Sequence, residues 1–195
     1  MSKITSLSIL LFLFATAMVS DSKVNTYKIS SDNSAIEWVG KKLIGQHSGT
    51  IAIKSGELQM KGKEISGGSF VMDMASIKVT DIAETDPQNK KLLVHLENPD
   101  FFDVAKYPEA KLVILSVVKK SDKFFTVTGN LIIKDKTNPI VFESTISGQT
   151  KNTVITRANL KIDRTKYGIV YKSSTLGEAM INDVFDLNIK LVGIK

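Results

Sequence analysis

The sequence predicts an all-β protein: a single extended eight-stranded antiparallel barrel with a short helical segment around residues 86–105. Three observations predict it. Beyond the first twenty residues, apolar and polar side chains alternate with a period of two, the pattern of half-buried strands. Clusters of Gly, Ser, Asp, Asn and Lys interrupt these runs at short intervals, which suits hairpins rather than long crossovers. The polar face of the strands carries Lys41, Lys54, Lys134, Lys161 and Lys190, so that face belongs in water and the apolar face must be enclosed. A sandwich would enclose it too. Closing the sheet also removes its edges, and strands of roughly ten residues, each about 33 Å long, fit about 175 residues into eight staves. A membrane-spanning barrel would turn the lysines toward lipid, at roughly 2–4 kcal/mol for each one near the midplane.

The chain opens on Lys3 followed by an apolar run, Ile4 to Phe14, too short to cross a bilayer as a helix. Ala15-Thr16-Ala17 then supplies small residues suited to a signal peptidase. Residues 1–20 read as a signal peptide cleaved after Ala17 or Ser20, leaving one domain over 21–195 and a periplasmic or secreted destination. The chain has no cysteine, which excludes a disulfide framework and a lipidated N-terminal Cys. An exported domain of this kind must rely on its core.

The strands follow in order. Ile36 and Trp38 share one face while Glu37 and Lys41 take the other; His47, Gly49, Ile51 and Ile53 line up likewise, and Phe70 and Met72 stand opposite Asp73. Between Thr85 and Tyr107 the period changes. Asp86-Pro87 and Asn98-Pro99 each read as an N-cap followed by Pro at the first helical position. Leu92, Leu93 and Leu96 give the first helix an apolar face. Phe101 and Phe102 follow on a second, shorter turn, and the segment reads as a lid over one barrel end or a cap on its core. Alternation then resumes through Phe125, Val127, Gly129, Leu131 and Ile133, through Leu160 and Ile162, and through Phe185, Leu187, Ile189 and Leu191. Turns are expected at Ser55-Gly56-Glu57, Lys61-Gly62-Lys63, Ser121-Asp122-Lys123, Asp135 to Pro139, and Ser147-Gly148-Gln149.

Composition excludes several function classes. The formal charge is +6, one unit less without Lys3, but only Arg157 and Arg164 are arginines and the lysines are dispersed. A nucleic-acid reader would cluster its cations with Arg and exposed aromatics. Dispersed lysine reads as a solvated face, compatible with transient contact at an anionic membrane surface. There is no Gly-x-Ser-x-Gly elbow and no phosphate loop. His47 and His95 lack metal-ligand spacing and read as groups bonded to backbone. Asp73, Asp81, Asp163 and Asp183 form no convincing acid–base pair; Asp163 beside Arg164 reads as an ion pair fixing a barrel corner. No enzyme, metal or resident cofactor is expected. The apolar interior remains: Trp38, Phe70, Met72 and Phe125 are large, Met adapts to irregular ligands, and Gly40, Gly49 and Gly129 on the same face leave volume unfilled.

Several phrases, in this order and spacing, resemble one known family. They are Trp38-Val39-Gly40-Lys41, His47-Ser48-Gly49-Thr50-Ile51, Gly67-Gly68-Ser69-Phe70-Val71-Met72-Asp73-Met74, His95 to Val104 with Tyr107-Pro108, Thr128 to Lys134, and Ile162 to Ile169. The chain is similar, from about Tyr27 to Leu191, to the YceI-like family of exported, lipocalin-like barrels associated with polyisoprenoid binding. The resemblance implies a hydrophobic tunnel with a helical segment near one end. It also implies a long isoprenoid or a quinone-like lipid as ligand. Leu112 departs from the pattern, standing where family members often carry Phe.

The expectation is therefore a soluble exported carrier or storage protein for an amphiphilic lipid, monomer or homodimer, the lipid being its sole small-molecule companion. The expected tunnel wall is Trp38, Phe70, Met72, Leu112, Ile114, Phe125, Val127, Leu131 and Ile162, with His47 and Arg164 near a polar headgroup. The alternative is a ligand-free structural or stress-protective barrel acting through a protein partner.

Overall fold

The computed structural model describes residues 23–173 and 180–195; the expected signal segment and both cleavage points lie outside them. The strands are β1 (Val24–Ile29), β2 (Ala35–Lys41), β3 (Gln46–Lys61), β4 (Glu64–Val79), β5 (Glu109–Lys119), β6 (Phe124–Ile133), β7 (Lys136–Gln149), β8 (Thr153–Asp163) and β9 (Val184–Ile194). One helix, α1 (Pro87–Glu97), follows β4, and a 3₁₀ turn (Arg164–Tyr167) follows β8. All pairings are antiparallel, and the ladder closes through β3–β4 at one side and β2–β9 at the other.

Nine strands make eight staves. β1 pairs with the far half of β3 (Val24↔Lys61 to Lys28↔Glu57) and β2 with the near half (Ile36↔Ile51 to Lys41↔Gln46), so β1 and β2 lie end to end along one partner. The interruption falls on Ser30-Ser31-Asp32-Asn33-Ser34, residues that bond their own backbone readily. Asn33 Nδ2 donates to Ser30 Oγ (2.8 Å), and the gap is stitched to β9 by Ser30 N–H to Val192 O (2.8 Å) and Val192 N–H to Ser34 Oγ (2.9 Å). The eight-stranded antiparallel barrel is thus what the alternation predicts.

Several turns lie elsewhere than expected. Ser55-Gly56-Glu57 is inside β3, where the register slips between Ile53 and Ser55. Gly56 serves packing: a Cβ there would sit 2.8 Å from Phe70 Cδ1. Ser147-Gly148-Gln149 is likewise the end of β7, with a bulge between Ile146 and Gly148. The β6–β7 turn is only Lys134-Asp135, both at positive φ (50° and 60°), the twist a tight hairpin needs. Pro139 belongs to β7, opposite Asn130. Lys134 Nζ also donates to Pro99 O (2.8 Å) and Phe101 O (2.7 Å), tying the turn to the segment after α1.

α1 begins as expected: Asp86 caps Gln88 N–H (2.8 Å) and Pro87 takes the first turn. It ends at Glu97, and Asn98 is its C-cap. The expected second helix at Asn98-Pro99 is instead a series of turns through Lys106. Buried Asn89 pins α1 to the barrel rim by donating to Val79 O (3.1 Å) and Ile82 O (2.7 Å). The lysine face is outside: Lys41 and Lys161 share Asp186 (2.8 and 2.7 Å), and Lys54 meets Glu109 (2.8 Å). Among the described residues, no helix is long and apolar enough to cross a membrane.

Candidate functional site

Inward residues of β2, β3, β4, β5, β6, β8 and β9 surround a cavity of about 140 Å³ near the α1 end. Leu96, Phe101 and Phe102 close it from the helical segment, and Ile169, Ile181 and Asn182 from the irregular stretches around β9. A second void of about 40 Å³ lies farther along, lined by Leu58, Ile65, Ile114, Val127 and Phe142 among others. Phe70, Leu112, Ile189 and Leu191 border both. These four side chains stand between the two voids, the large and the small chamber. Arg164 and Asn182 are the polar residues lining the larger chamber; everything else there is hydrocarbon, aromatic, thioether or glycine.

The expected wall residues divide among these places. Trp38, Phe70, Met72, Leu112, Leu131 and Arg164 line the large chamber; Ile114 and Val127 line the small one. Phe125 and Ile162 line neither and are solid core, 0% and 2% exposed. Phe185, Leu187, Ile189 and Leu191, recognisable from their alternation, line the wall although they were not expected as site residues. They are only half-buried despite facing inward. Ile169 and Ile181 sit in irregular segments, where no period marks them.

The three interior glycines differ. At Gly40 a Cβ would meet only Trp38 Cζ3 at 4.0 Å, so this glycine borders open space. At Gly49 it would collide with the Lys78 carbonyl oxygen and approach Trp38 Cζ2 to 2.6 Å; at Gly129 it would lie 2.7 Å from Val113 O. The latter two are close approaches of backbone and ring, not the unfilled volume that the sequence pattern implies.

Arg164 is 3% exposed. Its Nε donates to Asn182 O (3.1 Å), Nη1 to Ile169 O (2.8 Å), and Nη2 to Ile181 O (3.0 Å) and Asp183 Oδ1 (3.4 Å). Burial pushes the guanidinium below its ordinary range, and Asp183 and then Asp163 pull it partly back. The expected Asp163–Arg164 ion pair does not form. Asp163 faces the other way and caps the 3₁₀ turn, accepting from Thr165 N–H (3.0 Å) and Oγ1 (2.6 Å). At the end of that turn, burial and then the charge of Asp163 push the fully buried Tyr167 phenol up to about 12. Trp38, 7% exposed, has no acceptor for its indole N–H among the described residues.

Neither histidine bonds backbone as expected. His95 packs edge-on against Phe101 (4.9 Å between centroids) and Tyr171 (4.6 Å). His47 lies on the rim, paired across the ladder with Gly40 but not lining the cavity. Its Nε2 accepts from Lys42 Nζ (3.0 Å) and its Nδ1 donates to Asp81 Oδ2 (2.9 Å), while Ser48 N–H donates to Asp81 Oδ1 (2.9 Å). Burial pushes the Asp81 carboxyl up, but the bonds from Ser48 and His47 outweigh it and hold the group below its ordinary 3.8. A depressed folded-state pKa contributes stability at neutral pH that is lost as pH falls through that pKa. Asp81→Asn is therefore expected to cost about 1 kcal/mol at pH 7 and progressively less below the ordinary carboxylate range. Urea titrations at neutral and strongly acidic pH check this; an equal deficit at both would refute it. Among the described residues, no group of three His, Cys, Asp or Glu is placed to hold a metal ion.

Comparison with known proteins bears on this geometry. Residues 27–193 match the YceI-like domain. A UPF0312 protein of Pseudomonas savastanoi pv. phaseolicola is 45% identical over 58 residues, 30% of each chain. A UPF0312 protein of Pseudomonas putida is 32% identical over 106 residues, 52% of each. The matched stretches thus span about a third to a half of these relatives. BcnA of Burkholderia cenocepacia superposes with a TM-score of 0.69 at 20% identity, covering 84% of this chain and 98% of its own. A polyisoprenoid-binding domain from Saccharophagus degradans, implicated in plant cell wall breakdown, superposes at 0.63 and 12% identity, covering 86% and 97%. The Campylobacter jejuni YCEI protein gives 0.57 at 20% identity over 100% and 99%. At these identities the likeness is one of fold.

Proposed function

The chain belongs to the YceI-like domain family, and from that premise we propose that it is a soluble exported carrier. Its cargo is a long-chain isoprenoid or quinone-like lipid, held with its apolar chain along the barrel axis. The observation that carries the reading is the chambered cavity, whose wall is almost wholly apolar and whose polar groups sit at the α1 end. A chain drawn into it gains about 0.8 kcal/mol per buried CH₂, so a dozen such groups supply roughly 10 kcal/mol against ordering costs.

Size constrains how this happens. A volume near 140 Å³ is about what one benzene-sized molecule fills. A longer chain must therefore join the two chambers, by turning aside Phe70, Leu112, Ile189 and Leu191, or displace Phe101 and Phe102 at the closed end. Uptake is coupled to repacking.

Organic extracts of the protein purified without detergent from its host, analysed by mass spectrometry, test the reading directly. A near-stoichiometric isoprenoid or quinone supports it. An empty extract, from protein that also ignores added prenols, overturns it in favour of a barrel acting through its surface. Trp38 is the chain's single tryptophan and lines the chamber, so its emission reports prenol uptake. Gly40→Leu is expected to fill the chamber without a backbone clash and to weaken farnesol uptake about tenfold at nearly unchanged Tm. Undiminished uptake would mean the ligand lies elsewhere.

A further inference from the structure

At the α1 end of the barrel, β2 and β3 are joined by a hairpin whose two tip residues are Leu43 and Ile44. Lys42 N–H donates to Gly45 O (3.1 Å), closing the turn. The left-handed position of this loop is Gly45 (φ 85°), so conformation leaves Leu43 and Ile44 unconstrained, and loop tips facing water are commonly polar. Here the tip is branched aliphatic, and the two side chains are 78% and 84% exposed, the highest values among the large hydrophobic residues described as exposed. Neither folding nor turn geometry requires them. Met180, 49% exposed, is next to them, since Leu43 N–H donates to Met180 O (3.0 Å).

Two further features bear on what this tip would meet. At the base of the hairpin Lys41 and Lys161 share Asp186, while Lys42 bonds the imidazole of His47, whose other nitrogen bonds Asp81; three lysines thus face two carboxylates there. An aliphatic tip with lysines at its base matches an interface of acyl chains beneath anionic headgroups. The hairpin is also joined to the cavity wall. Asn182 N–H donates to Lys41 O (2.9 Å), Lys42 forms a bridge with Ile181, and Ile181 and Asn182 line the large chamber.

We propose that the Leu43–Ile44 tip docks the protein on an anionic lipid surface, inserting both side chains below the headgroups and placing the α1 end of the cavity against the bilayer. The proposal rests on the carrier reading for its purpose, but not for its test. The tip touches the bilayer; the chamber holds the cargo.

The test compares the host-processed protein with Leu43→Ser/Ile44→Ser in co-flotation with phosphatidylglycerol–phosphatidylcholine vesicles and with pure phosphatidylcholine vesicles. Farnesol uptake, read from Trp38 emission, is measured on the same samples. The expected result is binding to the anionic vesicles that falls with salt. The double substitution should reduce it at least tenfold, with Tm and farnesol uptake unchanged. Unchanged vesicle binding in the variant, or no binding by the parent to either vesicle, overturns the proposal. A parent dimer in solution that dissociates on the same substitutions also overturns it, since the tip would then meet a second copy of the chain. Loss of farnesol uptake in the parent itself, with vesicle binding intact, would sink the carrier reading and leave the docking surface standing.

Discussion

Gly49→Ala is expected to lower the stability of the barrel by about 3 kcal/mol or more, beyond the usual cost of adding one methyl group to a core. The reason is the nature of the obstacle. A new methyl at Gly49 would run into the Lys78 carbonyl oxygen and meet the Trp38 ring at 2.6–2.7 Å. A ring can turn, but that carbonyl belongs to β4 and is fixed by the ladder, Gly49↔Val79 and Thr50↔Lys78. Relief would require β3 and β4 to separate where α1 is moored. Equilibrium urea unfolding followed by Trp38 emission measures the loss. Gly148→Ala is the control: the nearest atoms to its methyl would be those of the Ile155 side chain, at 3.4 Å and beyond, so less than about 1 kcal/mol is expected. Similar losses for the two would show that backbone approach does not govern Gly49.

Arg164→Leu is the second large effect, about 3–5 kcal/mol of destabilisation. The substitution removes a buried cation and takes one donor from each of three backbone carbonyls and a carboxylate, those of Asn182, Ile169, Ile181 and Asp183. Removing the donor from a buried acceptor, as at Ile169 O, costs more than the bond itself contributes. Arg164→Lys keeps the charge but cannot spread donors over four acceptors, so it is expected to recover less than half of the loss. Hydrogen exchange provides a local readout. The Arg164 N–H bonds Asp183 O (2.8 Å) and the Ile181 N–H bonds Lys172 O (3.1 Å); these amides should lose protection before the strands melt. A leucine variant with the parent's Tm would refute the account.

Much of the fold is legible in the sequence because a period of two is a direct record of which face is buried. The alternation of Phe185, Leu187, Ile189 and Leu191 marks β9 and the cavity wall it forms, and Asp86-Pro87 marks the start of α1. What is not legible depends on geometry that composition does not encode. Ser55-Gly56-Glu57 has the makeup of a turn, yet Gly56 is there to let Phe70 lie against β3. Gly40, Gly49 and Gly129 are equivalent in the pattern and have three different surroundings, of which only the first borders empty space. Asp163 and Arg164 are neighbours in sequence, but the chain turns between them: one caps the turn and the other enters the core. Phe125 and Ile162 share the inward parity of true wall residues; whether such a side chain meets a neighbour or a void depends on its height along the barrel.

The seam at β9 has a consequence for the order of assembly. This strand follows the other eight in the chain, and it pairs with β8 on one side and with both β2 and β1 on the other. Until it arrives, the growing chain can form at most an open sheet, with β8 and the β1–β2 stave as unpaired edges that invite other chains. Its closing contacts join residues up to about 170 positions apart, so loop closure must be completed before any of them can form. The barrel therefore closes only once β9 has joined the other eight strands, and a chain cut short before Val184 is left with two sticky edges and no inside.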